Sequence, residues 1–245
     1  MKILTAHQPV YLPWLGLFHK IALADEFCFF DDVQYQAKDW NNRNRIKFSN
    51  GSAGWLTVPV LRKSYFERSY VEIKINNSLP WQRKHWRSIE QNYKKAPYFE
   101  LYAKKLKKFY DVRWETLVDL NYEMLLAFLE ILNISVPIVR MKDYSFKGEK
   151  SELVLDMCLQ LGADIYIFGE LGKEYANVEA FKVAGVWPVF QKYNHPNYPQ
   201  LYGDFISHLS IIDLIFNCGS NSLDLLLGGN INREDLTNNF SNVTE

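Results

Sequence analysis

The residues best equipped for chemistry gather in the first fifty positions. His7 and Gln8 follow directly on a short apolar run, Lys2–Ala6, and Pro9 stiffens what comes next. Histidine titrates near neutrality, so His7 can take a proton from an attacking group or donate to an anion. Its plainer reading is a brace that hydrogen-bonds the turn. Asp31 and Asp32 end a second apolar run, Glu26–Val33, and Gln34 and Tyr35 follow. A carboxylate there can orient a base, hold a sugar hydroxyl or ligate a metal. Neighbouring side chains on an extended chain point to opposite sides. At most one of the two aspartates therefore faces a site, and one of them suits a turn. The segment Asp39–Lys47 mixes Trp40, three asparagines, Arg43, Arg45 and Lys47 in nine residues. An arginine fork matches phosphate, and a tryptophan face stacks on a ring. Together they suit the diphosphate of a nucleotide-sugar; the alternative is an exposed polar loop.

Weaker candidates lie further on. Trp81–Trp86 opens a helix, whose N-terminus favours anions, and carries His85. An ordinary charged helix reads the same way. Gly169, Glu170 and Gly172 resemble a phosphate cradle only loosely, because the GxxxxGK[ST] pattern is missing. The Pro/Tyr loop His195–Gln200 supplies another histidine, His195, which can equally serve loop hydrogen bonding. Gly16 permits close approach of a ligand or simply of another segment. No HExxH, GxSxG, CxxC or EF-hand spacing occurs, so a dedicated metal site or serine-hydrolase triad is not expected.

These groups need a scaffold. Lys2–Ala6 reads as a buried strand, Trp14–Ala24 as a helix with Pro13 near its start, and Glu26–Val33 as a second strand. Strand, helix and strand in so short a span make a parallel βαβ unit. Residues 34–54 read as a long polar loop or partly ordered cover, Trp55–Val60 and Tyr70–Ile75 as strands. Trp81–Lys94, Tyr98–Tyr110 and Trp114–Leu132 read as helices, and Val136–Met141 as a strand. A second α/β stretch follows, with a helix ending at Gly162, strands at Ala163–Phe168 and Val186–Lys192, and helices at Val178–Ala184, Ser207–Asn217 and Ser222–Leu227. The expected fold is α/β: one domain over 1–230 with a mainly parallel, Rossmann-like sheet flanked by helices. A helical insertion covers about 78–132, and 231–245 is expected to be a flexible tail. In such sheets ligands bind beyond the carboxyl ends of the strands. His7, the Asp31–Tyr35 stretch and Gly169–Glu170 would then meet at one edge.

Composition narrows the classes. Hydrophobic residues make up 48% of the 245, enough for a substantial core, so disorder is excluded for most of the chain. No apolar run is long enough to span a membrane. The opening residues are too short and polar for a secretion signal, and Cys28, Cys158 and Cys218 are scattered in apolar surroundings. The expectation is a cytoplasmic protein with buried thiols. The 28 basic and 28 acidic residues balance, so net charge offers no argument for nucleic acid. The distribution is uneven: ten Lys/Arg against three Asp/Glu between Arg83 and Arg113, and six acidic residues against one Arg from Asp204 onward. The basic stretch is either a solvated face or an attractor for an anionic partner. Aromatics at 16% supply flat faces that suit sugars and bases.

The run His7-Gln8-Pro9-Val10-Tyr11-Leu12-Pro13-Trp14-Leu15-Gly16, with Lys20, Ala22, Ala24 and Asp25, resembles the opening of WbqC-like proteins. Asp32-Val33-Gln34-Tyr35, Trp40, Asn42-Arg43-Asn44, Ile46-Lys47, Trp55–Val60, Trp81 and Lys84-His85 continue the likeness. So do Tyr198-Pro199-Gln200 and Leu209–Leu214, over roughly residues 3–228. The family tends to carry Ser-Gly-Pro-Ser-Gly-Lys where this chain reads Phe168-Gly169-Glu170-Leu171-Gly172-Lys173. The resemblance implies bacterial surface-polysaccharide biosynthesis of the O-antigen type. From it follows the expectation of an enzyme transferring an acyl or aminoacyl group to the amine of a nucleotide-linked amino sugar. His7 and Asp32 would be catalytic. Gln8, Tyr11, Trp14, Lys20, Gln34, Trp40, Asn42, Arg43, Lys47, His85, Gly169, Glu170, His195 and Gln200 would contact substrate. The acyl unit must arrive activated, through ATP, another activated donor or an aminoacyl-tRNA. The alternatives are an ATP-dependent amide ligase, a nucleotidyltransferase-like enzyme, or a non-catalytic nucleotide- or glycan-binding partner of a glycosyltransferase.

Overall fold

The computed structural model describes residues 1–37, 39–61 and 68–244, with backbone alone at 239 and 241–244. The first strand made is the middle one of the sheet. β1 (Ile3–His7) pairs in parallel with β2 (Glu26–Phe29) on one side and with β6 (Ile165–Phe168) on the other. β5 (Ile138–Arg140) lies outside β2, and β7 (Trp187–Phe190) outside β6. The order β5-β2-β1-β6-β7 is that of an open parallel sheet whose chain reverses direction between β1 and β6. Beyond the carboxyl ends of those two strands lies the crevice where such sheets bind ligands.

Alternation along β1 sorts the two faces. Leu4 and Ala6 join Cys28, Met157, Cys158, Tyr166, Phe168 and Phe181 under α5 (Ser151–Gln160) and α6 (Val178–Val183). Ile3 faces the other way, with Leu23 of α1 (Leu15–Leu23) and Ile165 and Ile167 of β6. The three cysteines are free and buried.

The largest core lies beyond α1. It is filled by α2 (Trp81–Tyr93), α3 (Phe99–Asp111), α4 (Leu117–Ile131) and α7 (Ile211–Cys218), with α8 (Ser222–Leu227) beside them. Phe18, Phe128 and Phe216 are fully buried there, each worth about 1.5–3 kcal/mol relative to exposure. Thr116 caps α4 by accepting from the Asp119 N–H, and Ser210 caps α7.

Three sequence expectations change. The polar stretch 34–54 is not all loop: β3 (Arg43–Lys47) and β4 (Ala53–Thr57) form an antiparallel hairpin. Tyr70–Ile75 is no strand. Its Tyr70–Glu72 turn is a short 3-10 helix, with the Glu72 carboxylate accepting from the Ser69 N–H. Finally, 233–244, expected to fray, forms α9 (Arg233–Thr244). Leu236 packs against Ile3, Leu23 and Ile165, and Arg233 pairs with Asp25 at 2.5 Å. Residue 245 of the expected tail lies outside the described residues.

Candidate functional site

The loop from β1 to α1 carries the densest chemistry, and every turn of it is pinned. The Tyr11 N–H donates to the Trp40 carbonyl, Asn44 Nδ2 donates to the Leu12 carbonyl at 2.5 Å, and the Ile211 N–H donates to the Pro13 carbonyl. Trp14 forms a bridge with Ser210. Leu12 is held at φ 47, a left-handed conformation that a branched aliphatic residue adopts only when its surroundings impose it. α1 is then locked to the end of β7. Gln191 Nε2 donates to the Gly16 carbonyl and to His19 Nδ1, and the Tyr193 ring lies where a Cβ on Gly16 would stand, 3.2 Å away. Gly16 is thus a close-approach glycine for a protein ring.

His7 ends β1, half-buried, at the reversal point. Its Nδ1–H donates to the Gln8 carbonyl at 2.8 Å, because a carbonyl can only accept. Nε2 therefore carries the lone pair. Burial first, and then the Lys20 ammonium, push the His7 pKa down to about 3, so the ring is neutral at physiological pH. Lys20 stands behind it, 3% exposed, donating to the Ala6 carbonyl at 2.9 Å; burial lowers its pKa to about 7. Extending the β1–β6 register sets Gly169 level with His7. A Cβ on Gly169 would meet nothing, whereas Gly172 is packed against Phe168. Glu170 is exposed on the following 3-10 turn.

From His7 a row of rings leads outward. The Trp14 ring stands edge-on to His7 at 5.1 Å, Trp40 lies 6.2 Å from Trp14, and Trp55 lies 5.4 Å from Trp40. The Arg43 guanidinium covers Trp55 at 4.5 Å, with Arg45 at 5.9 Å. Trp55 is 46% exposed. The result is an aromatic shelf with a neutral base at one end and two cations at the other. Arg45 also donates to the carbonyl of His208, whose ring lies 5.1 Å from His195. His195 is half-buried, its Nδ1–H given to the Pro196 carbonyl.

Alternation and burial together decide which polar residues reach this shelf. Arg43, Arg45 and Lys47 share one side of β3 and Asn44 takes the other; Arg43 and Arg45 are half-buried, whereas Asn42, Asn44 and Lys47 are buried. Asn42 Nδ2 donates to the Val58 carbonyl. Lys47 Nζ donates to Gln200 Oε1 and the Asp204 carbonyl. Gln200 Nε2 in turn donates to Asp213, which also accepts from Tyr93 and Tyr198 at 2.8 and 2.9 Å. Burial raises the Asp213 pKa, although its three donors and Lys47 oppose the shift. Lys47, Asn42 and Gln200, expected on a ligand, belong instead to this buried brace. His85 and Tyr11 are likewise interior. The His85 ring donates to the Thr57 carbonyl and accepts from the Tyr11 hydroxyl, which then accepts from Tyr110. Burial holds the His85 pKa down to about 4.

The two aspartates separate as the alternation requires. Asp31 is wholly buried, pairs with Arg140 at 2.7 Å and accepts from the Lys142 N–H, tying β2 to β5. Asp32 is exposed and accepts from Ser69 Oγ at 2.6 Å, while the His7 Nδ1 that it was expected to orient is bonded to Gln8. Gln8 accepts from the Tyr70 hydroxyl, and Gln34 is exposed on an isolated bridge with Ser69. The structure thus lines up His7, Trp14, Trp40 and, through Trp55, Arg43; His195 joins them through His208 and Arg45, and Asp32 turns to Ser69. Sequence reasoning named Arg45 only within the segment Asp39–Lys47 and did not place Trp55 on the site. The period-2 pattern Arg43, Arg45 opposite Trp55 is the signal that finds them.

Among the described residues no three His, Cys, Asp or Glu side chains cluster as metal ligands do, and no helix is long and apolar enough to cross a membrane.

Comparison with known proteins covers almost the same span. The model of the WbqC-like protein family matches residues 8–225. A protein of Mycobacterium tuberculosis (strain ATCC 25618 / H37Rv), "Uncharacterized protein Rv1507c", is 36% identical over 228 residues, 92% of this chain and 98% of the relative. No solved structure matches. The pinned loop after β1, the hairpin and the α7 brace all fall within the matched span, and the chain belongs to the WbqC-like protein family.

Proposed function

We propose that the shelf binds a nucleotide-linked amino sugar and that the protein transfers an acyl or aminoacyl group to its amine, a step of bacterial surface-polysaccharide biosynthesis. The observation that carries the reading is the continuous row from His7 Nε2 through Trp14, Trp40 and Trp55 to Arg43 and Arg45. Base, rings and cations occur in the order that an amine, a sugar or nucleobase, and phosphates would require.

The roles follow from the geometry. Trp40 and Trp55 offer faces for stacking, and the two guanidinium groups attract phosphate. His7 meets the amine with an unprotonated Nε2. As the amine nitrogen bonds to the acyl carbon, its proton passes to Nε2. His7 then returns that proton to the leaving group as the carbon–leaving-group bond breaks. Neutrality of the ring matters, because a histidine already protonated accepts nothing. Lys20 behind it favours that neutral state.

The test is direct. Purified protein is incubated with nucleotide-linked amino sugars and activated acyl donors, and the product is analysed by mass spectrometry. The expected product is the sugar N-acylated, one water lighter than the free acid plus amine. Binding of the nucleotide-sugar without any amide product, under every class of donor, would leave a binding partner rather than a transferase.

A further inference from the structure

The hairpin of α2 and α3 is charged unlike the rest of the molecule. Between Trp81 and Asp111 stand nine Lys/Arg and three Asp/Glu, while the whole chain is neutral. The remainder therefore carries a net negative charge equal to the excess on this one hairpin. Two of the cations have acidic partners: Lys105 pairs with Glu130 and Lys107 with Asp111. Arg83, Lys84 and Arg87 on α2, Lys94 and Lys95 at its end, and Lys104 and Lys108 on α3 are exposed and have no ion pair among the described residues.

On each helix most of these cations stand opposite the buried stripe. Positions 83, 87 and 94 recur at the helical spacing opposite the buried Trp81, His85, Ile89 and Asn92. Positions 104 and 108 lie one turn apart, opposite the buried Ala103, Leu106 and Tyr110. Like charges four residues apart repel, so the arrangement costs stability in the free protein and favours a partner of opposite sign. The face lies on the far side of α2 from the shelf. β3 and β4 lie along the buried side of the helix: Thr57 meets His85 near its start, the Lys47 N–H donates to Tyr93 and the Ser49 N–H to Asn92 in the last turn. A helix about 10–12 Å across therefore stands between the cations and the hairpin that carries Arg43, Arg45 and Trp55, a span that a polymer bridges and a small ligand does not.

We infer that the α2–α3 face docks the phosphate backbone of an RNA whose 3′ end carries the aminoacyl group. The inference rests on the transferase reading and names its donor. A row of fixed cations on two packed helices suits a regular polyanion better than a single phosphate. An aminoacyl ester is already activated, so no phosphate-cradling loop is required of the chain. In the step, the sugar amine attacks the ester carbonyl. The C–N bond forms, the C–O bond to the terminal ribose breaks, and the amine proton passes through His7 to the released ribose hydroxyl.

The test uses the full chain and fluorescently labelled deacylated tRNA, followed by anisotropy at rising salt. Binding is expected at 50 mM salt and should weaken steeply. Each phosphate contact adds about −0.7 to −0.9 to the slope of log K against log salt, so six contacts give roughly −4 to −5. The variant R83E/K84E/R87E/K104E/K108E should lose at least tenfold in affinity with a shallower slope. Its melting temperature, and its amide formation from a small soluble aminoacyl ester, should match the parent. A single reversal, K104E, with a two- to fivefold loss guards against failure of the multiple variant to fold. No tRNA binding at low salt, or binding unchanged in these variants, overturns the inference. Retention on phosphatidylglycerol vesicles with no tRNA binding overturns it in favour of a membrane surface. Amide formation from a soluble ester without tRNA binding sinks this inference alone. RNA binding through this face with no amide product from any donor sinks the transferase reading and leaves the face standing.

Discussion

Three cations on one side of strand β3 sit in opposite settings. Arg43, Arg45 and Lys47 alternate to the same side of the strand. Lys47, at its end, is 1% exposed and donates into the Gln200–Asp213 network. Arg43 and Arg45 lie across an exposed Trp55. Cations two and four residues apart thus divide between a buried brace and the proposed binding surface. Exposure and partners separate the two functions where residue type does not.

The sharpest break in that comparison is a matched pair. Lys47→Met leaves Gln200 Oε1 and the Asp204 carbonyl without their buried ammonium donor, at about 1–3 kcal/mol for each. At about 2–4 °C per kcal/mol for a chain of this size, the melting temperature should fall by about 10 °C. Arg43→Met should leave it within a degree or two and raise KM for the nucleotide-sugar instead. Calorimetry and steady-state kinetics on both variants decide the matter; a melting shift common to both would erase the distinction.

Next in size is the contrast of the two histidines, both neutral. His7→Ala should lower kcat by about 10²–10⁴-fold, the range for a positioned base, with little change in melting temperature. His85→Phe should reverse that pattern. It leaves the Thr57 carbonyl unpaired and the Tyr11 hydroxyl without its acceptor, though still bonded to Tyr110, and costs about 1–3 kcal/mol, while the folded fraction keeps its kcat. Equal turnover by parent and His7→Ala would remove His7 from the chemistry.

Acid sharpens the same contrast. Both rings have folded-state pKa values below the ordinary 6.5, at about 3 and about 4. The unfolded chain therefore binds protons that the folded one refuses. Stability from this source is complete above about pH 6.5 and is lost as pH falls toward 4. The slope is at most about 1.4 kcal/mol per pH unit for each group. Urea midpoints between pH 7.5 and 4 should show the decline, and His85→Phe should flatten it. The smallest effect belongs to Trp55→Ala, expected to raise KM about three- to tenfold through loss of one stacking face. An unchanged KM would take Trp55 off the binding surface.

Much of the scaffold was legible. The βαβ opening, the later Ala163–Phe168 strand and the three helices of 81–132 are set by local periodicity, and they fold where that periodicity says. The hairpin was missed because β3 alternates arginine with asparagine rather than polar with apolar residues; Ile46 is the one aliphatic residue in it. The Tyr70 turn looked like a strand because it alternates, but its ends are fixed by Glu72, Asp32 and long-range bridges. The site was half legible. His7, Gln8, Trp14 and Trp40 stand at the sheet edge as their positions suggested. Lys47, Asn42, Gln200 and His85 did not announce their burial, because a polar side chain is buried only when partners far along the chain satisfy it. Lys47 and Asp204 are one such pair.

The place of β1 at the centre of the sheet has a consequence for biosynthesis. The strand is made long before its neighbour β6, which begins at residue 165, and the loop that bears His7 is clamped by Gln191 and Ile211. The shelf therefore takes its final form only after Ile211 has emerged from the ribosome. A nascent chain that stops short of Ile211 holds the complete opening motif without the partners that shape it.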